Sequence, residues 1–393
     1  MKKEFLNLGK QPIANGFLYE KDIPNEFFFD LRVVFDEETK LVSLKDFVKP
    51  ELMFNDEYVY VSSMSQTMRE HFQDASDLFK SRFDPKKVLE IGSNDGVFIK
   101  NFDSQSTIAV EPCGNFAKLT NDQGYHTYSN FWDTTLSSQI IQDHGKQDLI
   151  FSANCMCHVQ DLDDAFRAVS ECLSDKGVFV FEDPSLEKMI SRNSYDQIYD
   201  EHAHIFSVIA LDNILSKQGL QIFDVENLSV HGGSNRIYVK KVDNTSLVIK
   251  RSVFENIKLE RESGLDKFDR FAEFADSVKR SKEELLFLLK KYKDQNKKIV
   301  SYGATSKSTT VFNYCGITSE HIDYIVDTTP HKQGKLSPGT HIPVISPEDG
   351  FDELVDVAFL GAWNFTKEIV SKEKEFIDRG GLFITHVPQV SVL

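Results

Sequence analysis

The chain has 393 residues, with 61 acidic side chains against 45 basic ones and a formal charge of −16 at pH 7. That length implies two or three domains rather than one core. The acidic balance argues against nucleic-acid binding as the main activity, because a phosphate backbone demands basic patches. Five cysteines (Cys113, Cys155, Cys157, Cys172 and Cys315) form neither a CxxC pair nor an even set, so no zinc knuckle or disulfide framework is implied and no metal is expected. The CMC at Cys155–Cys157 invites a metal reading, against which stands the common case of buried thiols in a reducing compartment. No apolar run approaches the ~20 residues of a membrane span. MKKEFLNLGKQ lacks the apolar region of a signal peptide, so a cytoplasmic location and no membrane partner are expected.

Residues 1–75 are mixed in character. FFFDLRVVFDEETKLVSL predicts two short strands around an acidic turn, and SSMSQTMREHFQDASDLFKSRF predicts a helix capped by Ser62 or Ser63. From Lys86 strands and helices alternate. KVLEIG reads as a buried strand, followed by a glycine turn and a helix over GVFIKNF. STIAVEP, QDLIFSANC and GVFVFEDP are the next strands, with a helix over DLDDAFRAVSECLSDKG before the last. This is the signature of a parallel sheet covered by helices. VIALDNILSKQGLQIFDVENL adds a helix and a strand, and HGGSNRIYVKKV another strand. Residues 253–296 are charged, lack proline and carry one glycine, Gly264, which predicts one or two long helices linking two lobes. The alternation then restarts. KKIVSYGATSKSTTVFNYCG gives strand, glycine turn and helix, IDYIVDTTPHKQGKLSPGTHIPVIS a strand and long loop, and DVAFLGAW and GGLFITHVP the last strands. The expected fold class is α/β: a Rossmann-like domain (76–250), a helical linker with a second, C-terminal Rossmann-like α/β domain (251–393), and a small N-terminal module (1–75).

Two glycine turns carry chemistry. In VLEIGSNDGVFIK, Gly92 and Gly96 let backbone approach a ligand, Glu90 precedes the turn, and Glu111 ends the next strand about 20 residues on, where a carboxylate can take both ribose hydroxyls. A dinucleotide fold prefers GxGxxG. The GxxxG spacing with an acidic residue before it fits S-adenosylmethionine (SAM) better than NAD. FSANCMCHVQDL runs from a strand into a loop beside that ligand, so Asn154 and His158 are expected to face the pocket. The second turn, VSYGATSKSTTVFN, is not a P-loop, but Gly303, Ser306 and Lys307 at a helix start suit a phosphate or diphosphate. Asp327, His331, Lys332 and Lys335 follow on a neighbouring loop, a local basic cluster in an acidic chain.

LGKQPIANGFL, YVYVSSMSQTMREH, LEIGSNDGVFIKNF, EDPSLEKMISRNSYDQIYDEHAHIFS, HGGSNRIYV, YGATSKSTTVFNYCGI, KQGKLSPGTHIPV and AWNF occur in that order over nearly the whole chain. Together they resemble the SAM-dependent C-methyltransferases of nucleotide-linked deoxysugars. The resemblance implies a SAM-binding Rossmann-like domain, with a nucleotide-linked sugar, dTDP or another NDP, held between it and the C-terminal domain. The family's Y-x-E-H motif falls on Tyr199, Glu201 and His202, its histidine after the third strand on His158, and a further tyrosine on Tyr58 or Tyr60, with Tyr60 preferred. The cofactor set is then Glu90, Gly92, Asn94, Gly96, Glu111, Pro112 and Asn154, and the substrate set Tyr60, Ser306, Lys307, Asn313 and Lys332. One departure is plain. The family's N-terminal module carries a four-cysteine zinc site, whereas no cysteine here precedes Cys113.

QIYDEHAHIFS, residues 197–207, packs two carboxylates, two histidines and a tyrosine together. Methylation of carbon requires removal of a proton alpha to a ketone, with the enolate oxygen met by donors. His202 or Tyr199 is the expected base, with His202 first because its ordinary pKa lies nearest neutrality. Glu201 orients or charges its neighbour, His158 holds the ketone or enolate, and His204 is structural. The competing readings are an O- or N-methyltransferase of the same fold, and a non-catalytic binding protein. The sugar, the carbon methylated and the oligomeric state are not legible.

Overall fold

The computed structural model describes residues 1–58 and 60–393 and divides the chain among three sheets. The first sheet begins with a strand that the sequence pattern hid. β1 (Lys2–Pro12) pairs antiparallel with β2 (Phe28–Asp36), which pairs with β3 (Val42–Leu44) around the expected acidic turn. Register shifts at Glu4/Leu6 and Asn7/Lys10 break the β1 ladder, and a broken ladder disrupts the simple alternation by which a strand is read.

Helix α1 (Gln66–Phe83) is capped by Ser65, whose Oγ accepts from the Met68 N–H at 3.3 Å. The expected caps Ser62 and Ser63 instead form a single 3-10 turn with Met64. The boundary drawn between residues 75 and 76 falls inside α1. Met68, Phe72 and Phe79 on that helix belong to the core under the second sheet, with Phe98 and Phe151.

The second sheet is built from β4 (Val88–Ile91), β5 (Thr107–Val110), α2 (Gly114–Asp122), β6 (His126–Tyr128), α3 (Thr134–His144), β7 (Gln147–Ala153), α4 (Leu162–Cys172) and β8 (Leu173–Pro184). After α5 (Leu186–Ser191), β9 (His204–Ile205) leaves this unit and joins the edge of the first sheet, pairing Ile205 with Val42 and His204 with Ser43. α6 (Val208–Leu215), β10 (Leu220–Leu228) and β11 (Ser234–Lys241) complete the order β10-β11-β8-β7-β4-β5-β6. It is parallel from β8 to β6, with an antiparallel hairpin at the β10–β11 edge. The helix expected over GVFIKNF is reduced to one 3-10 turn, Ile99–Asn101. Asn94 and Gly96 hold positive φ, 48° and 79°, which excludes them from a right-handed helix. Val97, Phe98 and Ile99 are all buried, so no solvent face remains for a helix to present.

Two helices link the lobes, α7 (Arg251–Glu262) and α8 (Phe268–Asp294), and Gly264 lies in the break between them at φ 78°. The third sheet follows: β12 (Ile299–Tyr302), α9 (Ser306–Cys315), β13 (Ile325–Val326), β14 (Val344–Ile345), β15 (Val357–Leu360), β16 (Leu382–Thr385) and β17 (Ser391–Val392), ordered β14-β13-β12-β15-β16-β17. All but β17 are parallel. The first sheet has no core of its own. Leu6, Leu31 and Phe35 share one apolar cluster with Phe274, Val311 and Phe359 of the C-terminal region. Phe271 of α8 sits at its centre, with ring centroids 5.1 Å from Phe5 and 4.6 Å from Phe35.

Phe271→Ala is expected to cost about 3–5 kcal/mol and to expose residues 1–54 to limited proteolysis before the rest of the chain. Urea titration with a timed digest measures both.

Candidate active site

The C-terminal edges of the second and third sheets open onto one cavity of about 1080 Å³, larger than the ~300–1,000 Å³ typical of a single small-molecule site. On one wall β4 ends at Gly92, whose φ is 77° and where a Cβ would lie 2.6 Å from Cys155 Sγ. Only glycine fits that turn. Glu111, just past β5, accepts from the Asn94 N–H at 2.7 Å with Oε2 and from the Cys113 N–H at 2.9 Å with Oε1. Burial raises its pKa, while these two backbone donors oppose the rise. Each oxygen keeps a further acceptor site for a ribose hydroxyl, so the residues present suit an adenosyl ligand.

Pro112 and Asn154 line the same wall. Asn94 lines it too, but its side chain is engaged elsewhere: Oδ1 accepts from Ser62 N at 2.9 Å and Nδ2 donates to Tyr60 O at 3.0 Å, tying the segment before α1 to the turn. Glu90 and Gly96 are not among the lining residues. Glu90 is buried behind the turn, its carboxyl pushed well up by burial and by the Glu111 and Asp95 charges. Gly96 is a packing position, since a Cβ there would lie 2.8 Å from Thr120 Cγ2. Phe131, after β6, presents a half-exposed ring to the cleft. Sequence reading passed over it because the three-residue strand β6 was not recognised.

The proton-handling stretch faces this wall: Tyr199, Glu201, His202 and His158 all line the cavity with Gly92 and Glu111. His202 Nδ1–H donates to the Gln197 carbonyl at 2.6 Å, which sets the tautomer of the ring. Its ring lies against Tyr199, with centroids 4.1 Å apart, and stacks at 5.4 Å on His158, which in turn stacks on Phe54. Burial lowers the His158 pKa to about 4, so that imidazole is neutral. Burial, then the Glu201 charge, pushes the Tyr199 phenol well up, which makes it a donor and removes it as a base. Glu201 accepts from Asn15 Nδ2 at 2.6 Å and from the Tyr58 hydroxyl at 3.1 Å. Tyr58, rather than the preferred Tyr60, therefore makes the polar contact to the motif, although both line the cleft. Asn15 was missed because its partner lies 186 residues away. His204 is structural, bonded to Ser43 Oγ at 3.0 Å and to the Gln160 carbonyl at 3.3 Å.

The opposite wall holds Ser306 and Lys307 at the start of α9, and Lys332 on the loop after β13. Thr305 caps α9 in a reciprocal box with Ser308. Both lysines are held below their ordinary pKa by burial, against which Glu201 and a second carboxylate, Asp196 or Asp327, act. Lys332 Nζ donates to the Ala304 carbonyl at 2.7 Å. Asn313 does not reach the cleft. It lies two turns along α9, donating to the Thr309 and Pro338 carbonyls at 2.9 and 3.1 Å. Among the described residues, Cys157, His158 and His202 bring ligand atoms within 4.8 Å of one another. Burial and the Asp183 charge hold the Cys157 thiol well above its ordinary pKa.

This geometry is that of a SAM-dependent methyltransferase, and the comparisons with known proteins agree. Families described as "Methyltransferase domain" and "C-methyltransferase C-terminal domain" match residues 60–225 and 229–388, and one described as "Putative zinc binding domain" matches residues 1–54. The C-methyltransferase NovU of Streptomyces niveus is 31% identical over 99% of this chain and 94% of its own length. The chain belongs to the sugar C-methyltransferase family and is a SAM-dependent C-methyltransferase. Among solved structures, a SAM-dependent methyltransferase from Clostridium acetobutylicum is 18% identical, with 44% of this chain and 92% of that one covered and a TM-score of 0.36. A protein of Pyrococcus horikoshii is 14% identical, covering 50% and 100%, with a TM-score of 0.36. Residues 1–54 contain neither cysteine nor histidine, so they do not fit a zinc site of the kind that their matching family is described by. Among the described residues, no helix is long and apolar enough to cross a membrane.

Glu111→Gln is expected to weaken S-adenosylhomocysteine binding ~10–100-fold, the scale of hydrogen bonds to a charged acceptor. Calorimetry at fixed pH reads it directly.

Proposed function

We propose that the enzyme methylates the carbon beside the ketone of a nucleotide-linked keto-deoxysugar, through an enolate. The observation that carries this reading is the shared cavity, which His202, Tyr199 and His158 line together with Glu111 and the two lysines. His202 Nε2 takes the alpha proton while its Nδ1–H stays on the Gln197 carbonyl, which fixes the ring's tautomer and aim. The neutral His158 and the protonated Tyr199 are donors for the oxygen on which charge develops. Glu201, with both oxygens held, lines the same cavity as His202 and in this reading holds a sugar hydroxyl or steadies the charge on His202. SAM, bound along Gly92, Asn94, Glu111, Pro112 and Asn154, supplies the electrophilic methyl group. Lys307 and Lys332, with the N–H groups opening α9, suit the diphosphate of the second ligand, and Ser306 and Tyr60 border it. The chain's overall charge of −16 repels such an anion, so basic side chains of the cleft, these two lysines among them, are what receives it in this reading.

With SAM and a panel of NDP-4-keto-deoxysugars, a methylated sugar nucleotide is expected, together with exchange of the alpha proton in deuterated buffer. His202→Asn is expected to lower kcat ~100–10,000-fold and to suppress exchange in parallel. Substantial activity in that variant without solvent exchange, on an oxygen or nitrogen acceptor, would overturn the enolate reading.

A further inference from the structure

Asn15 belongs to the zinc-less N-terminal module, yet its side chain lines the catalytic cavity. It follows β1 in a turn closed by Gly16 N–H to Ile13 O at 3.0 Å and Phe17 N–H to Asn15 O at 2.9 Å. That turn is fixed by three other parts of the chain. Ala14 N–H donates to Asp200 Oδ1 at 2.9 Å, Thr309 Oγ1 of α9 donates to Ala14 O at 3.0 Å, and Leu18 pairs with Leu336. The amide of Asn15 is therefore held in place before any ligand enters, and it donates to Glu201 Oε1 at 2.6 Å.

Glu201 is a demanding group to hold. It is 3% exposed and adjoins Asp200, 2% exposed, so two carboxyls share one buried locus. Burial raises both, and the Glu201 charge raises Asp200 further, while the bonds from Asn15 and Tyr58 and the charges of Lys332 and Lys307 pull Glu201 back. The two carboxyls titrate as a coupled pair, and of the two it is Glu201 that has both side-chain donors and the two lysine charges to favour its ionised form. Tyr199, Tyr60, Cys113 and Cys157 also face Glu201, all with raised pKa and so uncharged.

We infer that Asn15 is a positioning residue for the methyl-transfer site. Its amide N–H fixes the orientation of the Glu201 carboxylate, so that the N-terminal module, without zinc, completes the active site. This rests on the proposed reading of the cleft as a proton-transfer site. Loss of the donor leaves Glu201 held by Tyr58 alone, so that its carboxylate is less fixed in the cleft.

The test compares the full-length wild type with Asn15→Ala, Asn15→Asp and Glu201→Gln. Asn15→Ala is expected to lower kcat ~10–100-fold, with S-adenosylhomocysteine affinity within twofold of wild type and the acidic limb of the kcat–pH profile moved to higher pH. Asn15→Asp keeps the shape but loses the donor at neutral pH. Its kcat is expected to recover towards acid, where the new carboxyl carries a proton it can donate. A kcat equal to wild type in Asn15→Ala, or a loss that follows the Tm with an unmoved pH profile, overturns the inference.

If the wild type methylates no keto-sugar, the functional reading fails separately, and the pH dependence of Tm decides this inference alone. The folded-state pKa of Glu201 lies above its unfolded value, and removing a donor to the ionised form raises it further. The Tm deficit of Asn15→Ala is then full above the folded-state pKa and shrinks as pH falls and Glu201 is protonated in both proteins. In a Glu201→Gln background the deficit is expected to be independent of pH. A pH-dependent deficit that survives in that background refutes the link to Glu201.

Discussion

A carboxylate taken out of water has to be met by donors or by cations, and the arrangement of this chain follows from how Glu201 is met. One oxygen is bonded to Asn15 from the loop after β1, the other to Tyr58 from the segment before α1. The nearest favourable charges come from Lys307 and Lys332 on the third sheet's side of the cleft. Uncompensated, a buried carboxylate costs several kcal/mol. The three regions are thus bound to one another by the needs of a single side chain, in addition to the apolar cluster around Phe271. Strand β9 adds a covalent reason for the same closeness: His204 and Ile205, two and three residues after His202, are themselves the edge strand of the first sheet. The motif cannot move without that sheet.

The loss of zinc ligands reads differently in this light. A module whose only cohesion was a metal would be free to unfold without it. Here Leu6, Leu8, Leu31, Val33, Phe35, Val42 and Leu44 are buried in a core that continues into α8 and the C-terminal region. The stabilisation that a metal would supply locally is supplied by surface shared with the larger body. The segment that sequence reading left without a role is the one that brings Asn15 and Ala14 to the motif carboxylates.

What the sequence made legible was whatever depends on near neighbours along the chain. The strand-to-glycine turns at Gly92 and Gly303, the helix after the second, the carboxylate at Glu111, and the helical stretch around Gly264 are local signals of backbone conformation and period. What it hid depends on distance or on short elements. β6 has three residues and β14 and β17 two each, too few for any period to show, and with β6 went Phe131. The choice between Tyr58 and Tyr60 turned on which ring reaches a partner 143 residues away, a fact held only by tertiary packing. GVFIKNF failed for a different reason: Val97, Phe98 and Ile99 are buried in succession, and the positive φ of Asn94 and Gly96 holds the turn out of helical backbone. Asn313 failed on length, since seven residues along α9 from Ser306 is about 10 Å away from the cleft.

The two α/β units are wired alike, and this explains why one cavity serves two ligands in the proposed reaction. Strands β6-β5-β4-β7-β8 of the first correspond in order and direction to β14-β13-β12-β15-β16 of the second, each followed by an antiparallel strand, β11 or β17. Gly92 N–H donates to Val110 O and Gly303 N–H to Val326 O, both at 2.8 Å. Glu111 accepts from Asn94 N–H at 2.7 Å, as Asp327 accepts from Ala304 N–H at 2.6 Å. In open α/β sheets ligands bind outside the carboxyl ends of the strands, so two such units set edge to edge necessarily present two binding edges to the same space. The side chains then divide the work. The first edge carries Glu111, placed for ribose hydroxyls, while the second carries Lys307 and Lys332 beside Asp327, and in the proposed reading those lysines receive the anion. In the proposed reaction the two ligands meet at the motif of Tyr199 to His202, which lines the same cavity.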